Sequence, residues 1–179
     1  MQRLRQRRSA PAQSLTAPGP SPEQLSTLLE IAARTPDHGK LFPWRFVVID
    51  GAAKANLVER LRPLAARQSD PAKGAAVLAK LAAPPVTVMV VSCPVEGKVP
   101  AWEQVLSAGA VCMNLEHAAD AMGFSASWIT DWYAYDAAAR PLLGLADGEQ
   151  VAGFIHIGAL AAGPAERPRP DMATIVSWL

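Results

Sequence analysis

The chain has 179 residues, with 17 basic and 16 acidic side chains and a formal net charge of +1. Half of its residues are hydrophobic and 18% are charged, which excludes global disorder and allows a core without disulfide or metal staples. The near-neutral balance argues against a dedicated nucleic-acid binder, despite the local positive charge of Arg3, Arg5, Arg7 and Arg8.

Residues 1–9 can form a short helix, and the Pro- and Gly-rich stretch 10–20 reads as a loop. Ser21, Pro22 and Gln24 form a capping-box signature, and Leu25, Leu28, Leu29 and Ala32 then repeat at helical spacing until Pro36 stops the helix. A loop over 37–43 leads into a strand at 44–49, rich in aromatic and β-branched residues. Residues 52–67 predict a helix interrupted at Pro63, and 72–81 a second one. Residues 86–92 predict a buried strand. The longest helical pattern covers 100–122, with Trp102, Val105, Leu106, Gly109, Ala110, Met113, Leu115, Ala118 and Met122 as its stripe and Gly123 as its C′ residue. Its small residues Ser107 to Ala110 suit close approach of another element. A short strand at 124–130, a helix capped by Asp136 and running to 143, and a strand at 151–157 follow. The tail is Pro-rich and then apolar. This order lacks tight βαβ alternation and predicts one α+β domain over 1–179, with a small sheet between helices.

Cys93 and Cys112 form no CxxC pair and read as reduced, buried thiols, which suits the cytoplasm. No signal-peptide pattern follows the early arginines, and the longest apolar run is far below the ~20 residues that cross a bilayer. The expectation is a soluble cytoplasmic protein. Motifs for zinc hydrolysis, a nucleophile elbow, a P-loop and GxGxxG dinucleotide binding are missing, and no metal site is expected.

Three histidines offer chemistry. His156 alternates within an apolar strand, as a packed or hydrogen-bonded core histidine does. His117 sits beside Glu116 on the long helix, and a Cys93–His117 nucleophile pair has no support from spacing. His38 lies in a loop between two prolines, one turn beyond Arg34, and loops held by rigid flanks collect binding residues. Arg34 alternatively complements the helix C-terminus. Arg7, Arg8 and Ser9 combine two guanidiniums and a hydroxyl, suited to a phosphate monoester, or else form a solvated arm; Arg167 and Arg169 pose the same choice.

In chain order, several motifs resemble the nitroreductase family of FMN-dependent enzymes, especially its short bacterial NAD(P)H nitroreductase branch. They are Arg7-Arg8-Ser9, Arg34-Thr35-Pro36-Asp37-His38, Pro43-Trp44-Arg45-Phe46, Lys98-Val99-Pro100-Ala101-Trp102-Glu103-Gln104, Ser107-Ala108-Gly109, Met122-Gly123-Phe124 running on to Trp128, and the strand ending at Gly158. The likeness spans nearly the whole chain. It implies a nitroreductase-like α+β fold with a mixed, mostly antiparallel sheet, and a homodimer with FMN at the interface and the C-terminal tail exchanged onto the partner. It assigns Arg7, Arg8 and Ser9 to the FMN phosphate and ribityl end, and Trp128, Ile129 and Thr130 to the ring edge. Arg34 would reach FMN held mainly by the other subunit, with His38 along the cofactor. Arg167 and Arg169 join the cofactor-binding set. Residues 118–123 fit a nicotinamide site or helix packing equally well. The implied activity passes a hydride from NAD(P)H through FMN to a small electron-poor acceptor such as a nitro compound, quinone or enone. No nucleic acid or membrane partner is implied. Phe42 stands where the family commonly has Gln, and 39–41 depart from the usual polar loop; these departures leave a flavin-binding protein with little turnover as the alternative.

Overall fold

The computed structural model describes residues 2–179; Met1, the first residue of the expected N-terminal helix, lies outside them. Four strands form one sheet: β1 (Trp44–Asp50), β2 (Val86–Ser92), β3 (Ser125–Ile129) and β4 (Gln150–Gly158). Their order is β1-β2-β4-β3, and every pairing is antiparallel, so the described residues contain none of the parallel pairing that a mixed sheet allows. β2 is buried along its whole length, as its unbroken Val-rich run requires of a central strand covered on both faces.

Alternation along β2 feeds two cores. Met89 and Val91 point to one face with Phe154, where α3 (Gly51–Ala65) and α4 (Pro71–Ala82) contribute Leu57, Leu61, Leu78 and Leu81. Val88 and Val90 point to the other face with Ile155 and Ile157, where α2 (Pro22–Ala32) and α5 (Ala101–Ala121) contribute Leu28, Val111 and Leu115. Each fully buried Leu or Ile contributes about 1.5–3 kcal/mol by leaving water. The two remaining helices are terminal, α1 (Gln2–Gln6) and α6 (Met172–Ile175).

The capping box forms as expected: Gln24 N–H donates to Ser21 Oγ at 3.2 Å, and Ser21 N–H to Gln24 Oε1 at 2.9 Å. Three expectations need correction. Helix α3 runs through Pro63 to Ala65, because the proline sits in the last turn and buried Leu61 and Ala65 anchor that turn on the sheet. Asp136 does cap, accepting from Ala138 N–H at 2.8 Å and Ala139 N–H at 3.2 Å, but 136–143 is a run of turns rather than a helix. Pro141 falls within it and withholds a donor.

The third correction concerns α5. Its buried face carries Gln104, Ser107, Ala108, Val111, Cys112, Leu115, Glu116 and Ala119, whereas Trp102, Val105 and Leu106 of the expected stripe are exposed. The helix is apolar around most of its circumference, so spacing alone selects two faces equally well. Ser107 is used inside the chain: it donates to Pro36 O at 2.8 Å and accepts from Trp44 Nε1 at 3.2 Å. Ala118 and Ala119 are buried, which is helix packing. Cys112 is buried as expected, but Cys93 is only half-buried. No helix of the described residues is long and apolar enough to cross a membrane.

Candidate functional site

The N-terminal arm reaches the sheet through backbone bonds. Ala10 N–H donates to Ala126 O at 2.9 Å, and Thr16 and Ala159 exchange bonds of 2.9 and 2.8 Å. Leu15 is buried under this arm. The docking carries Arg7, Arg8 and Ser9 to the end of the sheet where the chain leaves β4 for its tail. Arg8 donates to Ala165 O and lies 3.4 Å from Glu166 Oε1. Arg169 donates to Arg7 O at 3.2 Å and pairs with Glu166 at 3.1 Å. Four of the expected residues, far apart in sequence, thus converge. Arg8 and Ser9 line a cavity of about 520 Å³ with Pro11, Ser14, Leu160 and Pro164. The exposed Glu166 carboxylate sits against both guanidiniums, so this donor set already holds an anion.

Trp128 is fixed by four contacts. Its backbone N–H donates to Glu116 Oε1 at 3.0 Å, and its indole N–H to Ala152 O at 3.1 Å. Ala152 is the residue skipped where the β2–β4 register shifts, between the pairs Val90–Gly153 and Val91–Val151. The indole packs directly against Gly153, where an added Cβ would come within 2.1 Å of Nε1, and the ring also approaches Gly109. The position therefore needs glycine for close approach. Both N–H groups of Trp128 are engaged within the chain, while the side chain remains partly exposed. Ile129 and Thr130 are half-buried beside it, and Thr130 Oγ1 accepts from Tyr135 OH at 2.9 Å.

Glu116 links the arm to this strand. Its other oxygen lies 3.3 Å from Arg7 Nη1, and Arg7 also donates to Ser9 Oγ at 3.3 Å. Burial raises the Glu116 carboxyl above its ordinary value, against the opposing pull of Arg7, the Trp128 N–H and His117. In the sequence Glu116 drew notice only as the neighbour of His117. The available signal is a charged residue four positions after Cys112 and three before Ala119, on the face that turns out to be buried.

Arg34, His38 and Arg167 stand apart. Arg34 is exposed just beyond the α2 C-terminus. His38 Nδ1 donates to Glu103 Oε2 at 2.6 Å, with both side chains exposed to solvent. The loop after it is strained: Lys40 and Phe42 have φ of 56° and 49°, and Phe42 N–H is held by Asp37 Oδ2 at 2.7 Å. Phe42 itself is exposed and meets Trp44 edge-on, with ring centroids 6.3 Å apart. Arg167 contributes its backbone N–H to Glu166 at 2.8 Å.

The remaining candidates are structural. His156 is fully buried, with Nδ1 2.8 Å from Thr87 Oγ1; burial lowers it to about 3 and keeps the ring neutral. Lys54 Nζ reaches Thr87 Oγ1 at 2.9 Å and Pro84 O. Cys93 Sγ lies 3.2 Å from Glu149 Oε1, and burial raises the thiol to about 11, which favours the protonated form.

An α+β fold with an arginine-rich arm closing on the end of an antiparallel sheet defines a class, and the comparisons with known proteins identify it. The nitroreductase family model matches residues 4–159, and the chain belongs to that family. It is 34% identical over 149 residues to the Escherichia coli K12 protein named "Putative NAD(P)H nitroreductase YdjA", covering 82% of this chain and 81% of that one. Among solved structures, the nitroreductase-like family protein of Bacillus cereus superposes with a TM-score of 0.85 at 21% identity, covering 98% of this chain and 93% of that one. The Bacteroides fragilis nitroreductase with bound FMN gives 0.76 at 20% identity, covering 99% of this chain and 97% of that one.

Proposed function

We propose that this protein is a single-domain, FMN-dependent oxidoreductase of the cytoplasm that transfers reducing equivalents from NADH or NADPH to a small electron-poor acceptor, a nitro compound, quinone or enone. The observation that carries the reading is the convergence of Arg7, Arg8, Ser9 and Arg169 at the arm, where Arg8 and Ser9 line a cavity, Arg169 bonds the Arg7 backbone and the Trp128 strand is tied to Arg7 through Glu116. The residues fit a phosphate monoester. Guanidiniums bind its oxygens in charge-assisted pairs, and the Glu166 carboxylate now on Arg8 and Arg169 is an anion that a phosphate replaces.

In this reading Arg8 and Arg169 hold the phosphate, while Arg7 and Ser9 line its approach. Trp128, Ile129 and Thr130 border the ring. The chemistry FMN supplies when bound is hydride uptake from a reduced nicotinamide and two-electron delivery to the acceptor. The chain's part is binding, orientation and charge. No acid–base side-chain pair is required, in keeping with histidines that are packed, helix-bound or paired with Glu103.

Arg34 and His38 make no contact with the arm and belong, in this proposal, to the site of a second copy. A homodimer accounts for the exposed apolar side chains Ile31, Phe42, Trp102, Val105 and Leu106 and for the exposed tail residues Ile175, Val176, Trp178 and Leu179, which extend onto the partner. Such a surface is costly to leave in water. Sedimentation is expected to give a dimer; a stable monomer with bound flavin contradicts it. The functional test is NADH and NADPH oxidation by FMN-reconstituted protein with a nitroaromatic or quinone acceptor. Acceptor-dependent turnover is expected, and tight FMN binding without turnover would favour the flavin-binding alternative.

A further inference from the structure

Glu116 is a charged residue in an apolar helix face, only 4% exposed, and its two oxygens serve different segments. One is 3.3 Å from the Arg7 guanidinium of the arm, and the other accepts the Trp128 N–H of β3 at 3.0 Å. A carboxylate this buried is costly unless paired and hydrogen-bonded. Here the pairing joins the two parts of the candidate site that bind different ends of one ligand.

The two sides of this link differ in stiffness. Helix α5 spans 21 residues and packs against the sheet, whereas α1 has five residues and none buried. Helix α1 itself is tied to α5 by exposed Arg3, which donates to Asp120 O at 2.8 Å and pairs with the Asp120 carboxylate at 3.4 Å, an ion pair of the kind that contributes little. The backbone bond of Ala10 places the arm but not the Arg7 side chain, whose bond to Ser9 Oγ at 3.3 Å stays within the arm itself. Glu116 is the group outside the arm that fixes it.

Charge bookkeeping agrees. Arg7, Arg8 and Arg169 face Glu116 and Glu166, leaving one net positive charge; when a ligand displaces the exposed Glu166, two remain, against the near-dianion of a phosphate monoester. Without Glu116 the same cluster would carry three cations, one of them only 20% exposed and unpaired.

We infer that Glu116 is a positioning residue, which holds the Arg7 guanidinium and the Trp128 strand in fixed relation so that the phosphate and ring ends of FMN are recognised together. The inference rests on the FMN reading above. It assigns Glu116 no contact with the reacting atoms. It predicts a specific defect: loss of the advantage of FMN over riboflavin, which lacks the phosphate.

The test is fluorescence titration of apo-protein with FMN and with riboflavin, for wild type, Glu116→Gln, Arg7→Met and the double variant. The Gln amide oxygen still accepts from Trp128 N–H, so the ring end is retained while the negative charge paired with Arg7 is lost. Riboflavin affinity is expected within about twofold of wild type, and FMN affinity to fall about tenfold. The double variant should lose no more than the worse single one, as for residues acting as a unit. Glu116→Asp keeps the buried charge on a shorter stem that cannot reach both partners, and must lower the FMN preference too. It decides the matter if the Gln variant does not fold. An unchanged ratio of FMN to riboflavin affinity, including an equal loss of both, overturns the positioning role and leaves Glu116 a packing residue. Wild-type protein that binds neither flavin overturns the FMN reading itself, a result visible before any variant is made.

Discussion

Glu116 and Lys54 are both buried charges, on opposite faces of the same sheet, 4% and 5% exposed. Glu116 is paired with a guanidinium and reaches outward to the arm and to Trp128. Lys54 is held by uncharged groups, the Pro84 carbonyl and Thr87 hydroxyl, with neutral His156 behind them. A buried charge with a charged partner at the rim of a cavity organises a site. One whose hydrogen bonds go only to neutral oxygens answers to pH instead: burial lowers Lys54 to about 8, against the opposing pull of the Asp50 carboxylate. The contrast separates residues whose loss alters ligand recognition from those whose loss alters stability.

The largest expected effect is on recognition. Arg8→Ala removes charge-assisted bonds to a phosphate worth roughly 1.5–3 kcal/mol, so FMN affinity should fall by about one to two orders of magnitude at ~1.4 kcal/mol per tenfold. Arg8→Lys should recover part of it, since charge is kept and the planar fork lost. Identical dissociation constants for all three proteins would return the arm to a solvated basic segment.

A stability residue remote from the arm should behave in the opposite way. Arg45 donates twice to Glu149 at 2.7 Å and once to Gly144 O at 2.8 Å, fastening the loop before β4 to strand β1. Glu149→Gln should cost on the order of 1.5 kcal/mol, measured by urea unfolding at pH 7, with FMN affinity unaffected. The Arg45 hydrogen bond pulls the Glu149 carboxyl down to about 2, so the stabilisation is present above its ordinary 4.5 and is lost as pH falls towards 2. Wild type and variant should converge there; a constant difference down to pH 2 would contradict the pairing.

Lys54 gives a smaller effect, with the same sign of slope in a higher pH window. Between about 8 and its ordinary 10.5 the unfolded chain holds a proton that the native chain does not, so this group makes stability rise with pH through that window. The two thiols oppose it, since burial raises Cys93 to about 11 and Cys112 to about 12. The readout is therefore the difference between wild type and Lys54→Met in Tm from pH 7 to 10. The wild type should gain relative to the variant as pH rises, and parallel curves would count against a buried, titrating lysine.

The smallest effect concerns the tail. Glu166 is exposed and occupies Arg8 and Arg169 with the kind of charge a phosphate carries. Glu166→Gln should tighten FMN binding a few-fold, and weaker binding would show that the carboxylate supports the site rather than competes for it.

Much of the sheet was legible because periodicity and burial coincide there. The continuous Val run of β2 requires a central strand, and Ser21 with Gln24 marks a helix start by donor satisfaction alone. The orientation of α5 was not legible, because a helix apolar on two sides offers two equally good faces; Trp102 and Leu106 look like core until Val111 and Cys112 take that place. In the site, Arg7, Arg8, Ser9 and Arg169 were visible as residue types suited to phosphate. Their convergence across more than 150 positions was not, nor was the link through Glu116, which depends on which face of α5 is buried. The bed for Trp128 was hidden too: Gly153 reads as one more strand residue until the indole is seen packed against it.

The most direct test of the account is the identity of the flavin that the protein retains. The purified protein, or apo-protein offered an equimolar mixture of FMN, FAD and riboflavin, is freed of unbound ligand, and the flavin released on denaturation is identified by chromatography. The account predicts FMN, retained in proportion to protein and lost in the Arg8→Ala variant. Retention of FAD, or of no flavin even after reconstitution, would contradict it.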